Sequence, residues 1–337
     1  MLALAAALML GILIWGLAGI LVSAGSGRRP QSIAEYGFSL SNSIVPLDLI
    51  AIGSEPGIIR ALDEPAMIPA LEVDRINERQ RGSYLVDDDR VIGIEINGDA
   101  RAYPIRILQW HEVVNDTVGG KPVAVTYNGL CDSAVVFDRT LNAETIAFDV
   151  TGLLYNSNLL MYDRRMDGGR GGESLWSQIG GRAVTGPAAG LELQVLPCAV
   201  VSWAQWRQMH PDTVVLAPNP DPQRHRFYDR DAYGSYQSSD VLKFPVRPAP
   251  PRDGRSLKEK IIAVLPPGGA AHVFSINDLV QRARGSAVEL DVGDTVLIAE
   301  VFDDPPAVIV RHAASETVPV IYSYWFAWYS IREAEER

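Results

Sequence analysis

From Ile44 onward the apolar residues come in short runs, alternating or continuous, and turn signals separate them. That is the pattern of strands. Val91-Ile92-Gly93-Ile94-Glu95-Ile96 reads as a strand, and Asn97-Gly98 after it is a strong hairpin signal with Arg101–Pro104 as the return strand. Ile105 to Trp110 reads as a short helix. Gly119-Gly120 joins Glu112–Thr117 to a strand at Val123–Tyr127, and Ala134–Asp138 and Thr145–Val150 continue the sheet. Trp203 to His210 reads as a second short helix stopped by Pro211. The predicted class is α+β, mostly β. With 47% hydrophobic and 21% charged residues over 337 positions, the chain has the material for a buried core.

The two halves show internal similarity. Laying Val91–Leu108 over Ile262–Leu279 brings Gly98 onto Gly269, Ala100 onto Ala271, Ile105 onto Ile276 and Leu108 onto Leu279. Pro197 and Pro319 are each followed by a spaced tryptophan pair, Trp203 and Trp206, then Trp325 and Trp328. We read two degenerate β-rich repeats, the bland alternative being two unrelated hairpins of similar composition. The expected organisation is an apolar segment over 1–24, a tether over 25–43, a first repeat over 44–218, a Pro-rich linker or wrapping loop over 219–256, and a shorter second repeat over 257–331.

Met1 to Ala24 carries no charged side chain, long enough as a helix to span a bilayer core of about 30 Å. A signal peptide cleaved after Ala24 and an uncleaved single-pass anchor both fit; Arg28 and Arg29 behind it argue for a cytoplasmic flank. The expected partner is therefore a membrane, reached through this N-terminal helix. A protein partner is open, as is the oligomeric state. Nucleic acid is not expected: 30 Lys and Arg against 41 Asp and Glu give a net charge of −11, with no broad basic surface.

Chemistry concentrates between Trp110 and Ser133, where a histidine, several carboxylates and one of two cysteines fall close together. Adjacent strands there would bring His111 near Cys131, and an imidazole beside a thiol lowers its pKa and activates it. The plain alternatives are a core cysteine and a structural histidine. Two cysteines, Cys131 and Cys198, exclude a disulfide-rich scaffold or a four-cysteine metal site, and no His-x-x-x-His or Cys-x-x-Cys spacing calls for a metal. The residues name no cofactor. Tyr155-Asn156-Ser157-Asn158 reads either as pocket lining beside Cys131 or as Asx-type turn capping. The Gly-rich stretch Asp167–Gly172 lacks the ending of a phosphate loop, and neither Ser157 nor Ser174 sits in a hydrolase elbow.

The block from Val91 to Tyr127, with Gly152–Asp163, Ser174–Gln178 and His210–Thr213, resembles the domain of unknown function 3179 family. The resemblance implies an exported protein, with its main domain extracytoplasmic (periplasmic) and membrane-tethered. Members commonly read Cys-Pro-Leu-Cys-Gly-Thr after Thr-Tyr, and some carry selenocysteine, which implies thiol–disulfide or peroxide chemistry. This chain reads Asn128-Gly129-Leu130-Cys131-Asp132-Ser133, so the first cysteine is missing and the proline is glycine. Cys131 acts alone, pairs with Cys198, or the redox function is lost. The second half carries Asp303-Asp304-Pro305-Pro306 near the corresponding turn, without a thiol, which puts any active site in the first half. The expected site is Cys131 as reactive thiol and His111 as base, with Tyr127, Asn128, Asp132, Ser133, Asn156 and Asn158 lining it. A thiol-dependent redox or small-molecule-binding protein is the first reading, and a non-catalytic binding or assembly module the second.

Overall fold

Asn97 and Gly98 both adopt left-handed backbone (φ 52° and 80°), the conformation a two-residue hairpin turn demands. They fold strand Arg90–Ile96 back on strand Asp99–Pro104, with Ile96 opposite Asp99 and Ile92 opposite Tyr103. Helix Ile105–His111 follows directly and stops at Glu112, whose positive φ of 56° turns the chain into a three-stranded meander. Its strands are Val113–Val118, Lys121–Asn128 and Ser133–Asp138, the first joint made by Gly119-Gly120, both at positive φ. All of this follows the sequence reading to within a residue or two. The computed structural model describes residues 30–79, 84–164, 171–218, 228–266, 268–283, 287–312 and 317–335.

The second half runs through a similar succession. Strand Lys260–Val264 pairs with strand His272–Ser275, helix Ile276–Ala283 follows, and Ala287–Val292, Thr295–Asp303 and Pro306–His312 form a meander. Each hairpin gains a third strand on its other side. Ala199–Ser202 pairs with Arg90–Gly93, and Val320–Tyr324 pairs with Lys260–Val264. Each of these strands runs into a tryptophan-led helix, Trp203–Met209 or Trp325–Glu335. Ser202 and Gln205 form a reciprocal capping box at the first of them.

The halves meet in one sheet. Its order runs from His272–Ser275 through Lys260–Val264 and Val320–Tyr324 to Ser133–Asp138, then Lys121–Asn128 and Val113–Val118, ending at Leu62–Asp63. The bridge across the middle is the pairing of Tyr322 with Ala134. A second sheet, built on the long hairpin Ala147–Tyr155 and Asn158–Arg164, packs its apolar residues against one face of this junction. A third, ordered Ala199–Ser202, Arg90–Ile96, Asp99–Pro104, Val214–Leu216 and Met67–Pro69, joins the other apolar cluster. There Trp206 lies so close over Gly93 that a Cβ on Gly93 would sit 2.3 Å from the indole. The class is α+β and mostly β, as the short apolar runs predict.

Two expectations need restating. From the stretch read as a tether, Tyr36 is buried and its hydroxyl donates to Ser54 O, so the packed unit begins at Ser32. The membrane partner is corrected: among the described residues no helix is long and apolar enough to cross a membrane. The longest, Trp325–Glu335, has 11 residues, against the roughly 20 that a bilayer core requires. The apolar segment 1–24, on which that expectation rested, lies outside the described residues.

Candidate functional site

The turn Gly129–Asp132 closes the hairpin between Lys121–Asn128 and Ser133–Asp138, with Asn128 opposite Ser133. Asn128 holds the turn's shape. Its Oδ1 accepts from the Cys131 amide at 3.2 Å, while its Nδ2 donates to Glu112 Oε1 at 3.2 Å. Gly129 lets the ring of Tyr233 pack close against the turn, since a Cβ there would come within 2.3 Å of that ring. Gln237, on the same wrapping segment, donates to Gly129 O at 3.0 Å.

Cys131 faces inward. It is fully buried and its thiol donates to Ser157 O at 3.4 Å. Burial pushes the thiol pKa up, an Asn158 hydrogen bond opposes it, and the Glu112 and Asp132 carboxylates push it further up. Cys198 is likewise buried, pushed up to about 12, and both cysteines are free thiols in different apolar clusters. His111 is engaged elsewhere. Its Nδ1 lies 2.9 Å from Arg60 O and its Nε2 2.7 Å from the Tyr228 hydroxyl, so the sulfur has Ser157 and not the imidazole as its partner.

Ser133 and Asn158 belong to a closed polar network. Asn158 Nδ2 donates to Ser133 Oγ (3.0 Å) and to Gln178 Oε1 (2.9 Å), Ser133 Oγ donates to the same Gln178 oxygen (2.6 Å), and Gln178 Nε2 donates to Thr126 Oγ1 (2.9 Å). Every one of these side chains is buried. Such a satisfied network fixes the position of strands relative to one another and leaves no donor for a ligand. Asn156 does similar work. At φ 48°, beside Ser157 at φ 69°, it makes the hairpin turn, donates to Arg247 O (3.0 Å) and Ser330 O (3.2 Å), and accepts from the Arg247 amide.

Asp132 faces the other way. It adopts φ 43° and projects a carboxylate that Arg90 Nη1 grips through both oxygens, at 2.9 and 3.1 Å. The Tyr127 hydroxyl donates to Oδ1 at 2.8 Å, and Lys260 Nζ stands 3.4 Å from Oδ2. Burial works against this charge, but Arg90 and then Lys260 hold the Asp132 carboxyl below the usual carboxylate range. Arg90 in turn draws the Lys260 ammonium down, with burial second. Arg90 opens its strand and Lys260 opens the corresponding strand of the second half, so the two cations arrive at one carboxylate from two halves of the chain.

Arg90, Asp132, Lys260 and Tyr324 border a cleft of about 350 Å³. Sequence reasoning missed Arg90, Lys260 and Tyr324 here. Their one sequence signal was place: a polar residue at the end of an apolar strand, next to the internal similarity. It also passed over Glu112, buried and hydrogen-bonded by Asn128, whose carboxyl burial raises to about 7. Among the described residues no group of three or more His, Cys, Asp or Glu is placed to hold a metal ion.

Comparison with curated proteins and with solved structures finds no match. A family model does match, over residues 57–315, which takes in the turn, both cations and all eight expected site residues. The chain therefore belongs to the DUF3179 family, proteins of unknown function.

Proposed function

We propose that this chain is a small-molecule-binding module, not a thiol oxidoreductase, and that its ligand occupies the cleft beside Asp132. What supports this most is the two-sidedness of one turn. Cys131 points into the core, hydrogen-bonded to a backbone carbonyl, while its neighbour Asp132 is presented with two cations at the cleft. A nucleophilic thiol needs access and a neighbour that favours thiolate. Cys131 lacks the access: it is fully buried, and burial together with the carboxylates of Glu112 and Asp132 raises its pKa against the Asn158 hydrogen bond. Asn128, standing where the family resemblance implies a cysteine, pins the turn by accepting from the Cys131 amide and donates to Glu112.

Alkylation of the folded chain at mildly acidic and neutral pH, followed by alkylation after unfolding, tests the proposal. Both Cys131 and Cys198 are expected to label only after unfolding. Fast labelling of Cys131 in the folded chain would restore the redox reading.

A further inference from the structure

We propose that the cleft binds a small organic carboxylate, its head group seated between Arg90 and Lys260 and its apolar body along the wall beside them. This rests on the binding reading above and names its ligand class.

Three observations carry it. First, the cation pair is held but not used up. Asp132 occupies Arg90 Nη1, which leaves Nε and Nη2 without a protein partner among the described residues. That edge of a guanidinium is the planar fork that matches a carboxylate. Lys260 makes one contact, 3.4 Å from Asp132, and its side chain is 46% exposed. Two cations on one carboxylate leave a net positive charge facing the cleft, in a chain whose net charge is −11. The nearby Lys258 ammonium is spent on three carbonyls, of Tyr236, Ser239 and Val241, and serves to hold the wrapping segment.

Second, Tyr324 lines the cleft, is 3% exposed, and its hydroxyl has no hydrogen-bond partner among the described residues. The ring is buried, and the unpartnered hydroxyl borders the space that a ligand oxygen would fill. Third, Val200, Ile261, Ile276 and Ala307 give the cleft an apolar stretch of wall, beside the polar Ser202, Asn277 and Ser323. Inorganic phosphate would leave that wall unused, whereas a short acyl chain would cover it.

Isothermal titration of the full chain at constant ionic strength tests this, with the monocarboxylates from acetate to octanoate, the matching neutral amides, and inorganic phosphate as probes. One saturable site per chain is expected for a medium-length carboxylate, with its amide and phosphate binding at least tenfold more weakly. Lys260→Gln keeps the Arg90 and Tyr127 bonds to Asp132, and should weaken the carboxylate about tenfold. Tyr324→Phe removes no protein hydrogen bond, and should weaken it several-fold with unfolding unchanged. Equal binding of amide and carboxylate, or unchanged affinity in both variants, would overturn the anion assignment while leaving a binding cleft. Preference for phosphate would overturn the organic ligand and keep the cation pair as the site. A cleft that takes neither charged nor neutral probes would remove this inference and the binding reading together.

Discussion

Glu112→Gln isolates the least comfortable charge in the site. The backbone of Glu112 is pinned at φ 56° because its amide donates to Leu108 O (2.6 Å) and its carbonyl accepts from the Tyr127 amide (2.8 Å). Its carboxyl is therefore delivered into the core whether or not it is charged. It is 4% exposed, makes no ion pair among the described residues, and has the Asn128 amide as its hydrogen-bond donor. Burial raises its pKa from 4.5 to about 7. A carboxyl whose folded pKa exceeds its unfolded one binds a proton on folding between those two values. Stability is then full below about pH 4.5, falls as pH rises through the window, and levels off above about 7. The window is worth about 3 kcal/mol, at 1.36 kcal/mol for each pH unit between the two pKa values. Glutamine keeps an oxygen for Asn128 and cannot ionise, so the variant should lose this slope. Urea unfolding of both chains at pH 5, 6, 7 and 8 reads the difference. His210, whose pKa burial lowers, and the acid-range aspartates titrate in both chains and cancel. We expect the variant to lead by no more than about 1 kcal/mol at pH 5 and by about 3 kcal/mol at pH 8. A difference that stays flat across that range would refute the reasoning, and with it the view of Glu112 as an unpaired buried acid.

Asp132→Asn should destabilise by about 2 kcal/mol, a buried pair's 3–5 kcal/mol discounted because Arg90 and Lys260 are partly exposed. Its penalty should shrink as pH falls below about 3.8, because the Asp132 pKa is lowered on folding and the wild type loses its advantage there; a penalty unchanged in acid would contradict this. Gly129→Ala drives a methyl into the Tyr233 ring and should cost about 1–3 kcal/mol while speeding proteolysis within the wrapping segment. Unaltered proteolysis would mean that this segment is held by its other contacts.

The fold was legible wherever a local rule decided it. Asn97-Gly98 and Gly119-Gly120 needed left-handed backbone, and the hairpins formed where those residues stand. Trp203–Met209 starts at a capping box that Ser202 and Gln205 carry in sequence. Strand register does not carry the internal similarity through: under the same overlay Ile92 and Tyr103 correspond to Ala263 and Phe274, yet Ile92 faces Tyr103 while Ala263 faces Val273 and Phe274 faces Ile262. The site was less legible, for a physical reason. Tyr127, Asn128, Cys131, Asp132 and Ser133 are close in sequence, but along a tight turn successive side chains point to different surroundings. Ser133 enters a closed network, Cys131 the core, and Asp132 the cleft. No spacing rule says which.

What decides it is the partner strand from the far half. The Tyr324 amide donates to Cys131 O at 2.8 Å, and the pairing of Tyr324 with Lys260 then sets the Lys260 ammonium beside Asp132. The thiol is sealed by the same junction that opens the cleft. A cysteine in place of Asn128 would still stand on the sealed side, next to Glu112 and under the wrapping segment that carries Tyr233 and Gln237. For thiol chemistry at this turn, that segment would have to lift, whereas Arg90 and Lys260 line a cleft with it in place. In this chain the cation pair, not the cysteine, is the chemically available face of the turn.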